Sequence, residues 1–482
     1  MKNIIADCTD IFVIYLDIKS GSNYNVFVKK IIIIIFCIIA AYTAVCFVGL
    51  AFASSEIKQF NLFTDARQIE SIFLKIDRIQ RDIFLVKPFL MLNSQWKDKI
   101  LTLEQIKKSK PIISALLNTD EEKTYLVVMQ NNAELRPSGG VWGSYGILKI
   151  KKGKITSFKT DDTYSIDQNF IGRFSPPEEV KDIIQDQWRF WNSNWSADFA
   201  VSAREGLSFF EKAHPETKFD GVIGPNVDLV LELLKISGPV SLEGQAVELN
   251  SGNFVQKMIY DQISATAFEM ERASSGVVKP SEKNFLLSDI GLKIINQIIL
   301  HKQFTQLFVA TYDGLENNDL QLYFCDAKVQ NEVEKLDWGG RVDTSRNFLQ
   351  VVDANLGSKL DFLIDKKVQI EKSGSEYKIT LIYKNNFKPD EGANQPAASY
   401  RSFVRLFVPT GSKLVSQTGG EKLFGIKKDG LTDADYIATM LAIKPGEQQI
   451  LVFQYQPNNN VAQSPLTVYK QSGSHAQITE TR

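Results

Sequence analysis

The chain has 482 residues, with 55 Lys and Arg against 56 Asp and Glu, and a formal net charge of -1. That length suggests roughly two to four domains, and 44% apolar residues, with 31 Phe among the rest of the aromatics, supply ample material for buried cores. The balanced charge creates no global basic field, which argues against nucleic acid as a partner.

Cysteine and histidine usage excludes further classes. Cys8, Cys37 and Cys46 lie near the N-terminus, and Cys325 is the one cysteine of the globular part. An intrachain disulfide there is therefore excluded, and no paired-cysteine zinc motif exists. Cys325 reads as a buried thiol. The three histidines, His214, His301 and His475, stand far apart, which argues against a histidine-built metal site or a Ser-His-Asp triad.

In chain order, the first strong signal is the uncharged run 31–53, IIIIIFCIIAAYTAVCFVGLAFA. As a helix rising about 1.5 Å per residue it spans roughly 34 Å, enough for a hydrocarbon core of about 30 Å. Lys29 and Lys30 precede it and favour a cytoplasmic N-terminus and an external C-terminal portion. The reading is a single-pass anchor in the cell membrane, with 1–30 as a cytoplasmic tail. A cleaved signal peptide ending at Ala51-Phe52-Ala53 is the alternative, but the apolar run exceeds the usual length of such a segment.

Residues 54–118 read as a helical juxtamembrane segment. Ile69, Ile72, Phe73, Ile76, Ile79 and Ile83 recur at helical spacing, and Leu103, Ile106, Ile112, Leu116 and Leu117 continue it. An α/β layer domain is expected over 119–362. It starts with a strand at 125–130, followed by the loop 131–140. A hairpin then runs from Gly143 to Lys151 and from Ile155 to Thr160. An up-down-up course of these strands would place that loop and Asp161–Asp162 at one sheet edge. A strand at 219–223, a helix at 226–234 and helices at 250–272 and 282–304 complete the alternation.

Five short strand-like runs between Val368 and Tyr455, separated by turn signals, predict an antiparallel β-sandwich over 363–457. Residues 458–482 are polar and read as a flexible tail. Trp188, Trp191 and Trp195 read as a packed face rather than a sugar-stacking platform. Gly143-Ser144-Tyr145-Gly146 lacks the spacing of a nucleophile elbow, and no phosphate-binding glycine loop of the usual kinds occurs.

The stretch QNNAELRPSGGVWGSYGILKIKKGKI (130–155) resembles the signature of the bacterial domain-of-unknown-function family 4012. Further similar segments are NSNWSADF (192–199), FDGVIGPN (219–226), SGPV (237–240), DLQLYF (319–324) and VVDANLGSKLDF (351–362). That family more distantly resembles the LytR–CpsA–Psr phosphotransferases, membrane-anchored envelope enzymes. These use magnesium to move glycopolymers from polyprenyl-pyrophosphate carriers to the cell wall. The acidic residue and arginine after their first strand are matched by Glu134 and Arg136. Their later arginine-rich helix is not: the corresponding stretch 281–297 offers only Lys283 and no arginine.

The resemblance implies a candidate site. Arginine grips phosphate oxygens with a planar fork, and magnesium takes carboxylate oxygens. Arg136 and Glu134 are the expected catalytic pair, and Glu134, Asp161 and Asp162 the expected magnesium ligands. Asn131, Gly139, Gly140 and Lys283 are expected to contact a polyprenyl-pyrophosphate-linked saccharide. Two functions remain open on the residues alone. One is an envelope phosphotransferase or pyrophosphatase; the other is a non-catalytic cell-surface binding, adhesion or scaffold protein in which Glu134 and Arg136 fix the turn.

Overall fold

A computed structural model describes residues 69–84, 87–117, 119–169, 175–176, 181, 183, 188–241, 248–257, 281–356, 359–388 and 399–481. The apolar run 31–53 lies outside them. Among the described residues no helix is long and apolar enough to cross a membrane. The architecture is mixed α/β with several sheets and antiparallel strands in the C-terminal part. Contacts divide it into two compact units, one holding 70–107 and the other 108–482.

In the first unit, α1 (Ile69–Ile83) and α3 (Ser94–Lys108) flank the short α2 (Lys87–Leu90). The expected stripe is buried at Phe73, Ile76, Ile79 and Ile83, and α3 buries Ile100, Leu103 and Ile106. Lys107 clips the two helices by an ion pair to Asp77 at 2.8 Å and a hydrogen bond to Gln80 at 3.0 Å.

The second unit opens with α4 (Lys110–Leu117) and a five-stranded sheet. Its first strands are β1 (Lys123–Arg136), β2 (Gly139–Lys151) and β3 (Lys154–Asp162). After α5 (Thr163–Asn169) and α6 (Phe199–Ala213) come β4 (Gly221–Pro225) and α7 (Val227–Ser237). The small pair β5 (Val240–Ser241) and β6 (Glu248–Leu249) follows, then α8 (Ser281–Leu300) and α9 (Phe304–Glu316). Strand β7 (Leu320–Phe324) and α10 (Ala327–Lys335) end this part. The sheet order is β3-β2-β1-β4-β7, with β4 parallel to β1 and antiparallel to the rest of its neighbours.

Two more five-stranded sheets follow, built from β8 (Phe348–Asn355), β9 (Ile364–Ser373), β10 (Glu376–Asn385), β11 (Tyr400–Pro409), β12 (Lys413–Thr418), β13 (Lys422–Lys428), β14 (Ala434–Ile443), β15 (Gln448–Gln456), β16 (Thr467–Tyr469) and β17 (Gln477–Thr481). Their orders are β12-β15-β10-β9-β17 and β13-β14-β11-β8-β16. Val368, Ile379, Leu381 and Leu451 of the first share one apolar core with Val404, Leu406, Ile437 and Leu441 of the second.

Strand β11 explains why 108–482 forms one unit. Its pattern is almost continuously buried, as a strand covered on both faces must be. Val404, Leu406 and Val408 join the core between the two C-terminal sheets. Phe403 and Phe407, on the opposite face by the period of two, join the core of the α/β part with Trp142, Phe190, Trp195 and Phe199. Arg405, on that face and fully buried, lies over the rings of Trp195 and Phe407 and donates to the Trp195 carbonyl at 3.1 Å. Trp188 and Trp195 are core residues in T-shaped contact.

Four expectations change. The strand expected at 125–130 runs on to Arg136, so most of the expected loop is strand. Strand β8, expected to lie within the α/β domain, belongs to a C-terminal sheet. The stretch expected as a flexible tail supplies β16 and β17, which pair in parallel with β8 and β9. Cys325, expected to be buried, is exposed.

Candidate functional site

The residues of interest sit at the far end of the β1–β2 hairpin. Pro137 and Ser138 make the turn, and Arg136 pairs with Gly139 across it. The register shifts between Asn131 and Leu135, so Asn132, Ala133 and Glu134 form a bulge in β1. Bulges of this kind re-aim side chains, and each residue here has a separate destination.

Asn131 turns its side chain back, accepting from the Ala133 amide at 3.2 Å. Asn132 is buried and reaches the start of α7. Its Oδ1 accepts from the Val227 amide at 3.0 Å, and its Nδ2 donates to Asp228 at 2.8 Å and to the Gly473 carbonyl at 3.2 Å. The Leu135 amide donates to Asp361 at 2.9 Å. Asp361 also accepts from Asn355 at 2.6 Å and from the Tyr400 hydroxyl at 2.9 Å. Burial pushes its carboxyl up to about 6, against those hydrogen bonds.

Arg136 is 6% exposed. Its Nη2 pairs with Glu134 at 3.0 Å, and its Nε donates to Asn192 at 3.2 Å. Its Nη1 donates to the Leu135 carbonyl at 3.2 Å and to the Asn355 carbonyl of β8 at 2.6 Å. The Arg136 carbonyl accepts from Gln471 at 3.0 Å. All three guanidinium nitrogens are thus used within the protein, in the forked geometry that suits arginine.

The 192–195 segment braces the same tip. Asn194 donates to the Gly140 carbonyl at 2.8 Å, and the Ser138 amide to the Asn194 carbonyl at 3.4 Å. The glycine pair is explained by crowding. A Cβ on Gly140 would lie 2.1 Å from the Asn131 carbonyl carbon and 2.3 Å from the Asn132 nitrogen. A Cβ on Gly139 would meet the Gln130 side chain at 2.4 Å. The close approach these glycines permit is to β1 itself.

The expected metal ligands are not brought together. Asp161 pairs with Tyr145 and Asp162 with Ser144, whereas Glu134 lies level with Gly140 and Val141. That offset is three to five residues, about 10–17 Å along the strands, and two strand spacings across them. Magnesium needs its ligand oxygens in one tight shell, and these three carboxylates do not fit that requirement. Among the described residues no three His, Cys, Asp or Glu side chains form a metal-binding group. Lys283 falls in the first turn of α8. The cleft bordering Pro137 and Ser138 has a volume of about 10 Å³, far too small for a ligand.

The sequence reading missed the partners that make this arrangement: Asn192, Asn355, Asp361 and Gln471. Asn192, Asn355 and Asp361 all lie in the segments that carried the family resemblance, which was the available signal. Gln471 lies in what read as a tail.

The fold and this junction define a mixed α/β domain whose first hairpin is fastened to a following pair of β-sheets. Residues 120–262, from the start of β1 past α7, match the model of the family described as Protein of unknown function (DUF4012). The more distant likeness to the LytR–CpsA–Psr phosphotransferases is no part of that match. Neither a curated protein nor a solved structure matches the chain.

Proposed function

We propose that the chain is a non-catalytic binding or scaffold protein, tethered to the outer face of the cell membrane by residues 31–53. In this reading the Glu134–Arg136 segment is a structural latch. The observation that carries it is the use of every Arg136 guanidinium nitrogen by Glu134, Asn192, Leu135 and Asn355. A phosphate-binding arginine needs donors left over for its ligand. Four of the five guanidinium N–H groups are taken, so a bidentate phosphate grip would have to displace at least one buried, charge-assisted bond. The separation of Glu134 from Asp161 and Asp162 supports the same reading.

The competing reading is a magnesium-dependent phosphotransferase or pyrophosphatase acting on polyprenyl-linked glycopolymers. The test is to incubate the full chain in detergent with a polyprenyl-pyrophosphate saccharide and magnesium. The latch reading expects no release of phosphate or transfer of saccharide above a protein-free control. Turnover that disappears in a folded Glu134→Gln variant would overturn it.

A further inference from the structure

Between the two C-terminal sheets lies a buried pair of charged side chains, with the buried carboxyl of Asp361 close enough to act on the neighbouring Tyr383. Strand β9 alternates strictly, and Ile364, Lys366, Val368 and Ile370 all point inward. Lys366 is 7% exposed and Asp353 of β8 is fully buried. The Lys366 Nζ meets Oδ2 of Asp353. The other carboxylate oxygen, Oδ1, accepts from the Tyr383 hydroxyl at 2.9 Å. Tyr383 is the cross-strand partner of Lys366, and the amine lies 5.4 Å from its ring centre. Nζ also donates to the Ser474 hydroxyl at 3.4 Å.

We propose that Lys366 and Asp353 become joined by an amide bond between Nζ and Cγ, a covalent cross-link from β9 to β8. An ion pair in a dry core carries a desolvation cost on both members. Moving one proton from the ammonium to the carboxylate removes both charges and leaves a neutral amine beside a carboxylic acid. Burial acts in that direction, pulling the Lys366 ammonium down to about 7. The amine lone pair then attacks Cγ. The bond from Cγ to Oδ2 breaks, and Oδ2 leaves as water with one proton from Nζ. Carbon, nitrogen and oxygen keep their oxidation states, and no co-reactant is consumed.

The surroundings suit each stage. The folded chain holds nucleophile and electrophile in contact, which removes the entropic part of the barrier. Oδ1 becomes the amide oxygen. The Tyr383 hydroxyl, which burial keeps protonated, is placed to donate to it while negative charge develops there. Tyr383 is therefore the catalytic residue of the step, in contact with a reacting atom. The water formed leaves a buried site, so the reverse hydrolysis has no ready reactant. This cross-link does not depend on the proposed function.

The experiment is peptide mass mapping of the full chain purified in detergent. Trypsin sites at Arg346, Lys359 and Lys367 would leave 347–359 joined to 360–367 as one species. The expected mass is that of both peptides less one water. Lys366→Met and Asp353→Ala should each give unlinked peptides of full mass, and Tyr383→Phe a mixture that converts slowly. The wild-type digest decides by itself, even where a variant does not fold. Unlinked 347–359 and a free cut after Lys366 in folded wild-type protein would overturn the proposal and leave an ordinary buried ion pair.

Discussion

The Arg136 guanidinium and the Glu134 carboxylate, two positions apart on β1, form a 3.0 Å ion pair with side chains only 7% and 15% exposed. The bulge at 132–134 makes this possible, because it turns Glu134 back toward Arg136 at the hairpin tip. From that tip hydrogen bonds run to Asn192, to Asn355 in β8 and, through Gln471, to the last stretch of the chain. The motif that carries the family resemblance thus works as a joint between sheets.

The joint explains why the two turn glycines differ from their neighbour. Gly140→Ala places a methyl group into the backbone of Asn131 and Asn132, and the hairpin must shift. Overpacking of this kind costs about 1–3 kcal/mol. Gly143, three residues on in the same strand, has nothing within 4 Å of its Cβ position, so Gly143→Ala should change stability by less than about 1 kcal/mol. Urea denaturation of the two variants checks the contrast. Equal losses would contradict the close-approach explanation.

A buried carboxyl in the α/β part sets a pH dependence. Burial raises Glu205 to about 7, although it accepts a hydrogen bond from the Trp188 indole. The unfolded carboxyl titrates near 4.5. Between those values the folded state holds a proton that the unfolded state has lost, so stability is full below about 4.5 and falls as pH rises to about 7. It then stays low. The loss is at most roughly 3 kcal/mol. Glu205→Gln keeps the acceptor for Trp188 without the charge. Its melting temperature should match wild type at pH 4 and exceed it at pH 8. A constant difference across that range would remove Glu205 as the cause.

The C-terminal stretch is structural. Gln471 donates to the carbonyls of Arg136 and Asp353 and accepts from the Asp353 amide, while β16 and β17 cover the edges of β8 and β9. Deleting 466–482 removes five buried side-chain hydrogen bonds, those of Gln471 with those to Gly473 and Ser474, about 5 kcal/mol at typical values, and bares two strand edges. The truncated chain should be recovered mostly as aggregate, with a lowered denaturation midpoint in any soluble fraction. Soluble protein of unchanged midpoint would show that residues 466–482 contribute nothing.

Much of this fold is legible from local pattern. The β1–β2–β3 meander, the helix after Asn226 and five of the C-terminal strands follow from apolar periodicity and turn residues, which are short-range signals. The hairpin tip is not legible in that way. Asn132, Leu135 and Arg136 look like loop residues because their partners lie at Val227, Asn355, Asp361 and Gln471, and single-sequence reasoning cannot see those pairings. The same limit hid Lys366. The clear strand-like run starts at Val368, yet extending the alternation by one step places an inward lysine between Ile364 and Val368. An inward charge in such a pattern was the missed signal.

The measurement that bears most directly on the latch is the unfolding free energy of Arg136→Ala, taken by denaturant titration of the full chain. Removing one member of a buried ion pair and its hydrogen bonds costs about 3–5 kcal/mol. Arg136→Lys should lose most of the same amount, because an ammonium cannot hold Glu134, Asn192 and Asn355 from one planar fork. The latch account predicts both losses, with no activity to be lost. Stability unchanged in both variants, together with turnover of a polyprenyl-pyrophosphate saccharide that only the wild type shows, would contradict it.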